Sequence, residues 1–129
     1  MEPPVAPGNQ AYIKQATLVK ALAHPTRLHI LDILSQGEAC VCHLMAVLRQ
    51  RQPYVSQQLM ILREAGLVTG RKDGVMVYYR LANAAVAETV RATRALLLAK
   101  GERVEFPAIP QPPVEGCPCP HCGGEGPCV

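Results

Sequence analysis

Four apolar-striped segments, a Val- and Tyr-rich extended pair around an Asp-Gly step and one last apolar-striped segment predict a mainly α domain with a small β-hairpin. That is the element order of a winged helix-turn-helix. Proline sets the limits of the domain: three prolines lie in residues 1–7, seven in 107–127, and none between Tyr54 and Phe106. The 129 residues therefore divide into a disordered amino-terminal arm at 1–9, one folded domain at 10–103 and a flexible Pro/Cys-rich carboxy-terminal tail at 104–129.

Ala11 to Ala23 reads as the first helix. Pro25, whose missing N–H costs nothing at a helix start, opens a second with Leu28, Leu31 and Leu34 on one face, and Gly37 ends it. Cys40 to Arg49 reads as a short third helix with Val41, Leu44 and Leu48 inward. Pro53 opens a fourth with Val55, Leu59 and Leu62 inward, closed by Gly66. Leu67 to Lys72 and Val75 to Leu81 flank a polar Asp73-Gly74 turn and form the hairpin. Asn83 caps the last helix, Ala84 to Lys100, where Val86, Val90 and Leu97 share a face before Gly101. Met45 and Met60 are expected in the core, and His24 and His29 in structural roles. Tyr78 and Tyr79 alternate across a strand, one inward and one toward solvent or DNA.

The net charge of +3 conceals an asymmetry. Residues 1–100 carry 12 Lys/Arg against 6 Asp/Glu, a balance of +6, whereas residues 101–129 carry one Arg against four Glu, a balance of −3. A basic body suits a polyanionic partner. No apolar run approaches the roughly 18 residues of a membrane span, and Met-Glu-Pro-Pro lacks the basic start and apolar stretch of a signal peptide, so a cytoplasmic protein without a membrane partner is expected. In that reducing compartment six cysteines are better read as metal ligands or redox thiols than as a disulfide framework. No catalytic triad, paired-carboxylate site or phosphate-cradling glycine loop is visible. The chain is not expected to be an enzyme or to take a small organic substrate.

In a winged helix-turn-helix the second short helix enters the major groove and the hairpin lies along the backbone. Here the reading helix is Pro53 to Ala65. With Val55, Leu59 and Leu62 turned inward, Tyr54, Ser56, Gln57, Gln58 and Arg63 are left to meet DNA, Gln being able to pair with adenine edges and Ser or Tyr to hold phosphate or base. Arg49, Arg51, Arg71, Lys72 and Arg80 would supply the sequence-independent attraction.

Cysteine placement is the sharpest clue to function. Cys40 and Cys42 stand one residue apart just before the reader, Cys117, Cys119, Cys122 and Cys128 lie in the last 13 residues, and none falls between Cys42 and Cys117. The thiols are gathered at two places, joining a soft-metal or redox trigger to a nucleic-acid reader.

Ala21-Leu22-Ala23-His24-Pro25-Thr26-Arg27-Leu28, the Cys-x-Cys segment, Val55-Ser56-Gln57-Gln58-Leu59 and Leu62-Arg63-Glu64-Ala65-Gly66-Leu67-Val68 together resemble the ArsR/SmtB family of metal-responsive repressors, over roughly residues 15–100. The resemblance implies a dimeric winged helix with the first and last helices at the dimer interface. It places Cys40 and Cys42 on the family's paired metal-binding thiols, and Ser56, Gln57 and Gln58 on its DNA-reading stretch. Ala39 and His43 depart from the family's pattern, His43 standing where an acidic residue is usual. The last helix lacks the His and acid/His spacing of the family's other common metal site, so a zinc sensor of that type is not expected.

On a regular helix, side chains at i and i+2 point about 200° apart, so Cys40 and Cys42 share an ion only if the first turn unwinds or begins in a non-helical lead-in. Two thiolates also leave a shell incomplete: As(III) or Sb(III) wants a third sulfur, and Cd(II), Pb(II) or Zn(II) three or four ligands. The tail can supply them by spanning the linker after Lys100, with His43 and His121 as further possible ligands. Alternatively, Cys117, Cys119, Cys122, Cys128 and His121 close a site of their own, Cys119-x-x-Cys122 being a common zinc spacing.

The expected function is a homodimeric repressor that binds double-stranded operator DNA and lets go when a thiophilic ion, As(III), Sb(III), Cd(II) or Pb(II), with Zn(II) less favoured, binds Cys40 and Cys42 with help from tail thiols. The alternatives are a thiol-redox repressor of the same fold and a cytoplasmic metal buffer or chaperone.

Overall fold

The structure, a computed structural model, describes residues 8–125. The first seven residues of the expected amino-terminal arm, and Cys128, lie outside that range. Five helices and three short strands follow the order α1 (Gln10–Leu22), α2 (Pro25–Ser35), β1 (Ala39–Cys40), α3 (Val41–Leu48), α4 (Gln52–Glu64), β2 (Val68–Asp73), β3 (Met76–Leu81) and α5 (Ala84–Ala99). Local chemistry explains the boundaries. His24 is the N-cap of α2, its Nδ1 accepting the Thr26 N–H at 3.2 Å, and Pro25 occupies the first turn. Asn83 caps α5 by accepting the Ala85 N–H at 2.9 Å. Beyond α5, Gly101 has φ +86° and its N–H bonds the Leu98 carbonyl, while Glu102 N–H reaches back to Leu97, a paired closure that satisfies the helix's last carbonyls.

The core lies where α2, α4 and α5 meet the sheet. Ile30, Leu31, Leu44, Val55, Leu59 and Leu62 are all at most 2 % exposed, and Val55, Leu59 and Leu62 are spaced by four and three as a single buried face of α4 requires. The strands form one antiparallel sheet in the order β1-β3-β2. β2 and β3 are the wing. Asp73 pairs with Met76, so the two turn residues are Gly74 and Val75, one position later than the expected Asp73-Gly74 step. Gly74, at φ +60°, takes the left-handed conformation such a turn demands.

Three further features differ from the sequence reading. β1 was not expected: two residues cannot display an alternating pattern, yet Ala39 and Cys40 pair with Tyr79 and Tyr78. Met60 is 54 % exposed rather than in the core, because Val55, Leu59 and Leu62 already take the inward face of α4. The tail, expected to be a flexible tether, folds back on the body. Arg94, paired with Asp32 at 2.6 Å, holds its guanidinium 3.7 Å from the Phe106 ring centroid and so fixes the exit from α5. Ile109 then packs on the main core, and Val114, Cys117 and Cys119 join a second buried cluster with Cys40, Cys42, Met76 and Tyr78.

α1 is the least covered helix. Tyr12, Ile13, Leu18 and Val19 are exposed along it, as are Leu96 and Leu98 on α5. Among the described residues, no helix is long and apolar enough to cross a membrane.

Candidate metal centre and nucleic-acid interface

Cys40 sits at the join of β1 and α3, with extended backbone (φ −84°, ψ 171°). As N-cap of α3 its Sγ accepts the His43 N–H at 3.4 Å, which points the sulfur at the positive end of the helix. The non-helical lead-in expected for a Cys-x-Cys pair is therefore present. It leaves Cys40 at the end of the strand and Cys42 in the first turn of the helix, both within one buried cluster. Cys42 is buried and engaged in a disulfide, where the sequence suggested a reduced thiol beside Cys40.

Cys40 meets the tail instead. Its Sγ lies 3.6 Å from that of Cys117, and the sulfurs of Cys40, Cys117 and Cys119 all lie within 4.8 Å of one another. Each of these residues is buried, Cys40 and Cys119 to 1 % exposure. A short 3-10 helix, Pro120–Cys122, closes the segment, and its Cys122 Sγ is 4.0 Å from His43 Nδ1. His43 is 4 % exposed, and burial depresses its basicity, which favours the neutral ring. His121 stacks on Tyr78, with ring centroids 4.3 Å apart and planes at 18°. Of the expected tail ligands, then, Cys117 and Cys119 come together with Cys40, Cys122 lies beside His43, and Cys128 falls outside the described residues.

The three thiols do not share protons evenly. Burial pushes Cys40 up, partly offset by the His43 amide, and burial likewise raises Cys117 well above the ordinary thiol range. Burial alone would raise Cys119 too, but hydrogen bonds from the Cys117 thiol, the Cys122 amide and thiol, and the Cys40 thiol outweigh it and draw its value down. Of the three, Cys119 is thus the thiol that ionises most readily, its sulfur accepting from neighbouring S–H groups. Three soft donors at this spacing, in a pocket shielded from water, form a set suited to a thiophilic ion with three-coordinate chemistry.

The residues expected to meet DNA separate into two groups. Ser56, Gln57, Arg63, Lys72 and Arg80 are exposed. Gln58 is not: it is 5 % exposed and its Oε1 accepts a hydrogen bond from Arg27 at 3.0 Å. The reason is positional, since 58 lies three residues after Val55 and four before Leu62 and so shares their inward face. Arg27 also donates to the Ala21 carbonyl at 2.6 Å, so Gln58 braces α4 against the α1–α2 junction. Tyr54 is half-buried, its hydroxyl 3.0 Å from that of Thr26. Arg71 is held by Glu38 through two hydrogen bonds, one of them 2.8 Å from Nε to Oε2, and lies over the Tyr78 ring. That bidentate grip keeps the Glu38 carboxyl below its usual range.

A basic winged helix-turn-helix with a buried thiol cluster beside its wing defines a DNA-binding regulator. Residues 24–69 match the family model described as the bacterial regulatory protein, arsR family. The chain is 45 % identical over 89 residues to a biofilm growth-associated repressor of Agrobacterium fabrum, covering 69 % of this chain and 76 % of that protein. It is 47 % identical over 72 residues to the arsenical resistance operon repressor of Escherichia coli, covering 55 % and 62 %. A homodimeric winged helix-turn-helix DNA-binding domain from Mycobacterium bovis superposes with a TM-score of 0.68 at 29 % identity, over 83 % of this chain and all of that one. The chain belongs to the ArsR/SmtB family of transcriptional repressors. The A. fabrum and E. coli relatives are described as repressors, and the family signature falls on α2, β1, α3, α4 and the start of β2.

Proposed function

We propose that this repressor binds operator DNA as a homodimer and is released when As(III), Sb(III), Cd(II) or Pb(II) is captured by Cys40, Cys117 and Cys119. One observation carries the reading: three buried sulfurs within 4.8 Å of one another, drawn from the start of α3 and from the tail of the same chain. The naming of one relative as an arsenical resistance repressor supports the ion class. Uncovered apolar residues on α1 and α5 support the dimer, as does the homodimeric M. bovis neighbour. Release follows from linkage: an ion that binds the DNA-free conformation better weakens DNA binding by the same factor.

The test joins two titrations on the reduced protein. Pb(II) or As(III) should raise a sulfur-to-ion charge-transfer band saturating at one ion per chain, and operator binding should weaken over the same concentrations. Before ion is added, sedimentation should show a dimer, and log affinity for operator should fall linearly with log salt, with a slope of roughly −0.9 per phosphate neutralised. A salt-independent complex, or a monomer at micromolar concentration, would contradict the DNA-binding dimer.

The protonation pattern adds a second expectation. Pb(II) requires thiolates, and Cys40 and Cys117 hold their protons more tightly than an ordinary thiol while Cys119 gives its proton up more readily. Binding near neutrality should release at least two protons per ion, so Pb(II) affinity should drop by about 100-fold or more for each unit of falling pH. As(III) arrives as the trihydroxide, whose hydroxyls leave as water with the thiol protons, and its affinity should vary far less. Band titrations across neutral pH would check both slopes, and a flat Pb(II) response would remove Cys40 and Cys117 from the ligand set.

The disulfide at Cys42 favours a second reading, a redox-responsive repressor. Forming such a bond takes two electrons and two protons from a pair of thiols to an external oxidant. Operator release by peroxide without any ion, reversed by a dithiol, would establish it.

A further inference from the structure

The thiol cluster and the wing share a strand. β1 supplies Cys40 to the cluster and pairs with β3, where Cys40 stands opposite Tyr78. The Tyr78 ring, 2 % exposed, is touched from two other directions of the chain. From the tail, His121 stacks on it at 4.3 Å, two residues beyond the cluster sulfur of Cys119. From β2, the Arg71 guanidinium carbon lies 5.0 Å from the ring centroid. Arg71 is in turn gripped by Glu38, the residue immediately before β1, and by Asp73 at 3.4 Å. Thus the one wing arginine adjacent to the thiol site is turned onto a carboxylate and an aromatic face, while Lys72 and Arg80 beside it point to solvent.

Hairpin cations are where a winged helix meets the phosphate backbone, so a guanidinium committed to Glu38 is a phosphate contact withheld. From this arrangement we propose that the Tyr78–His121 stack is the positioning contact through which a closed thiol cluster keeps Arg71 on Glu38 and off DNA. The inference rests on the ion-responsive reading. An ion joining Cys117 and Cys119 to Cys40 immobilises the 3-10 turn, and the turn sets the imidazole on Tyr78. With the tail loose, Tyr78 loses its cover and Arg71 one of the two surfaces that hold it inward. The wing, and not only the spacing of the reading helices, then carries the signal.

The experiment uses the full chain and three proteins: wild type, His121→Ala and His121→Phe. Phenylalanine keeps a flat ring for the stack and has no nitrogen to bind an ion. For each, Pb(II) binding is followed by its charge-transfer band, and operator affinity is measured over a range of salt with and without saturating Pb(II). All three should bind Pb(II) alike and bind operator alike without it. In wild type and His121→Phe, Pb(II) should weaken operator binding and lower the salt slope by roughly one per subunit, the signature of a lost phosphate contact. In His121→Ala the weakening should shrink several-fold and the slope should stay unchanged. If both variants lose Pb(II) binding, His121 is a ligand and the proposal is overturned. It is equally overturned if His121→Ala responds as wild type does. A wild type that neither binds Pb(II) nor releases operator would instead sink the ion-responsive reading itself.

Discussion

Cys40→Ser should leave the ion-free repressor bound to its operator and abolish the proposed release by Pb(II) or As(III), whereas Cys42→Ser should keep the ion response under reducing conditions. Serine is well tolerated at position 40 because it is a favoured helix N-cap: its hydroxyl can take over the His43 N–H bond that the sulfur now accepts, so α3 still starts where it does. What it cannot do is replace a thiolate toward a soft ion, being too hard and too weakly acidic. Against a wild-type coupling in the usual range of about 5- to 150-fold, the Cys40 variant should show a ratio near one. Cys42 is buried in the same cluster but stands outside the group of three sulfurs, so a ligand set of Cys40, Cys117 and Cys119 predicts that its loss is tolerated. Operator titrations with and without ion on the two variants decide the matter, and equal loss of response in both would return Cys42 to the ligand set.

Removal of everything after Phe106 should have a larger effect still. It deletes two of the three clustered sulfurs, so the ion response is lost outright rather than shifted to higher concentration. It also uncovers the body. Val114 is 7 % exposed and packs in the cluster around Tyr78, and burial of one such side chain is worth about 1.5 to 3 kcal/mol. For a domain of this size the thermal midpoint should fall by about 10 °C. Calorimetry and ion titration on the truncated chain test both halves. A truncated protein that still releases operator at the original ion concentration would exclude the tail from the regulatory site.

Most of the architecture could be read from punctuation. Pro25 and Pro53 mark helix starts, Gly66 and Gly101 mark ends, and the inward triplet Val55, Leu59 and Leu62 is as expected, since these signals act within one turn of chain. What escaped depends on contacts far apart in sequence. β1 is defined only by its partner Tyr78 and Tyr79, and Gln58 is buried because Arg27, 31 residues away, gives its amide a partner. Position 58, three after Val55 and four before Leu62, lies on the inward side, but a polar side chain there reads as solvent-facing until that partner is known. The tail misled in a different way. Twelve prolines in the chain, seven of them past residue 106, suggest a tether, and the sparse apolar residues Ile109 and Val114 carry no periodicity to suggest a docked segment. The sequence pairs Cys40 with Cys42, whereas the strand geometry at Cys40 places its sulfur 3.6 Å from that of Cys117.

Cys40 and Cys117 are 77 positions apart, and between them lie α3, α4, the wing and α5. An ion held by both ties a ring around nearly the whole DNA-reading apparatus. Ring closure of that length removes conformational freedom from the unfolded chain, by the chain-entropy reckoning about 4 to 5 kcal/mol, comparable to a long-range covalent crosslink. On the proposed reading capture would be a knot as well as a signal: an ion that takes the repressor off its operator should also make the chain harder to unfold and harder for a protease to thread.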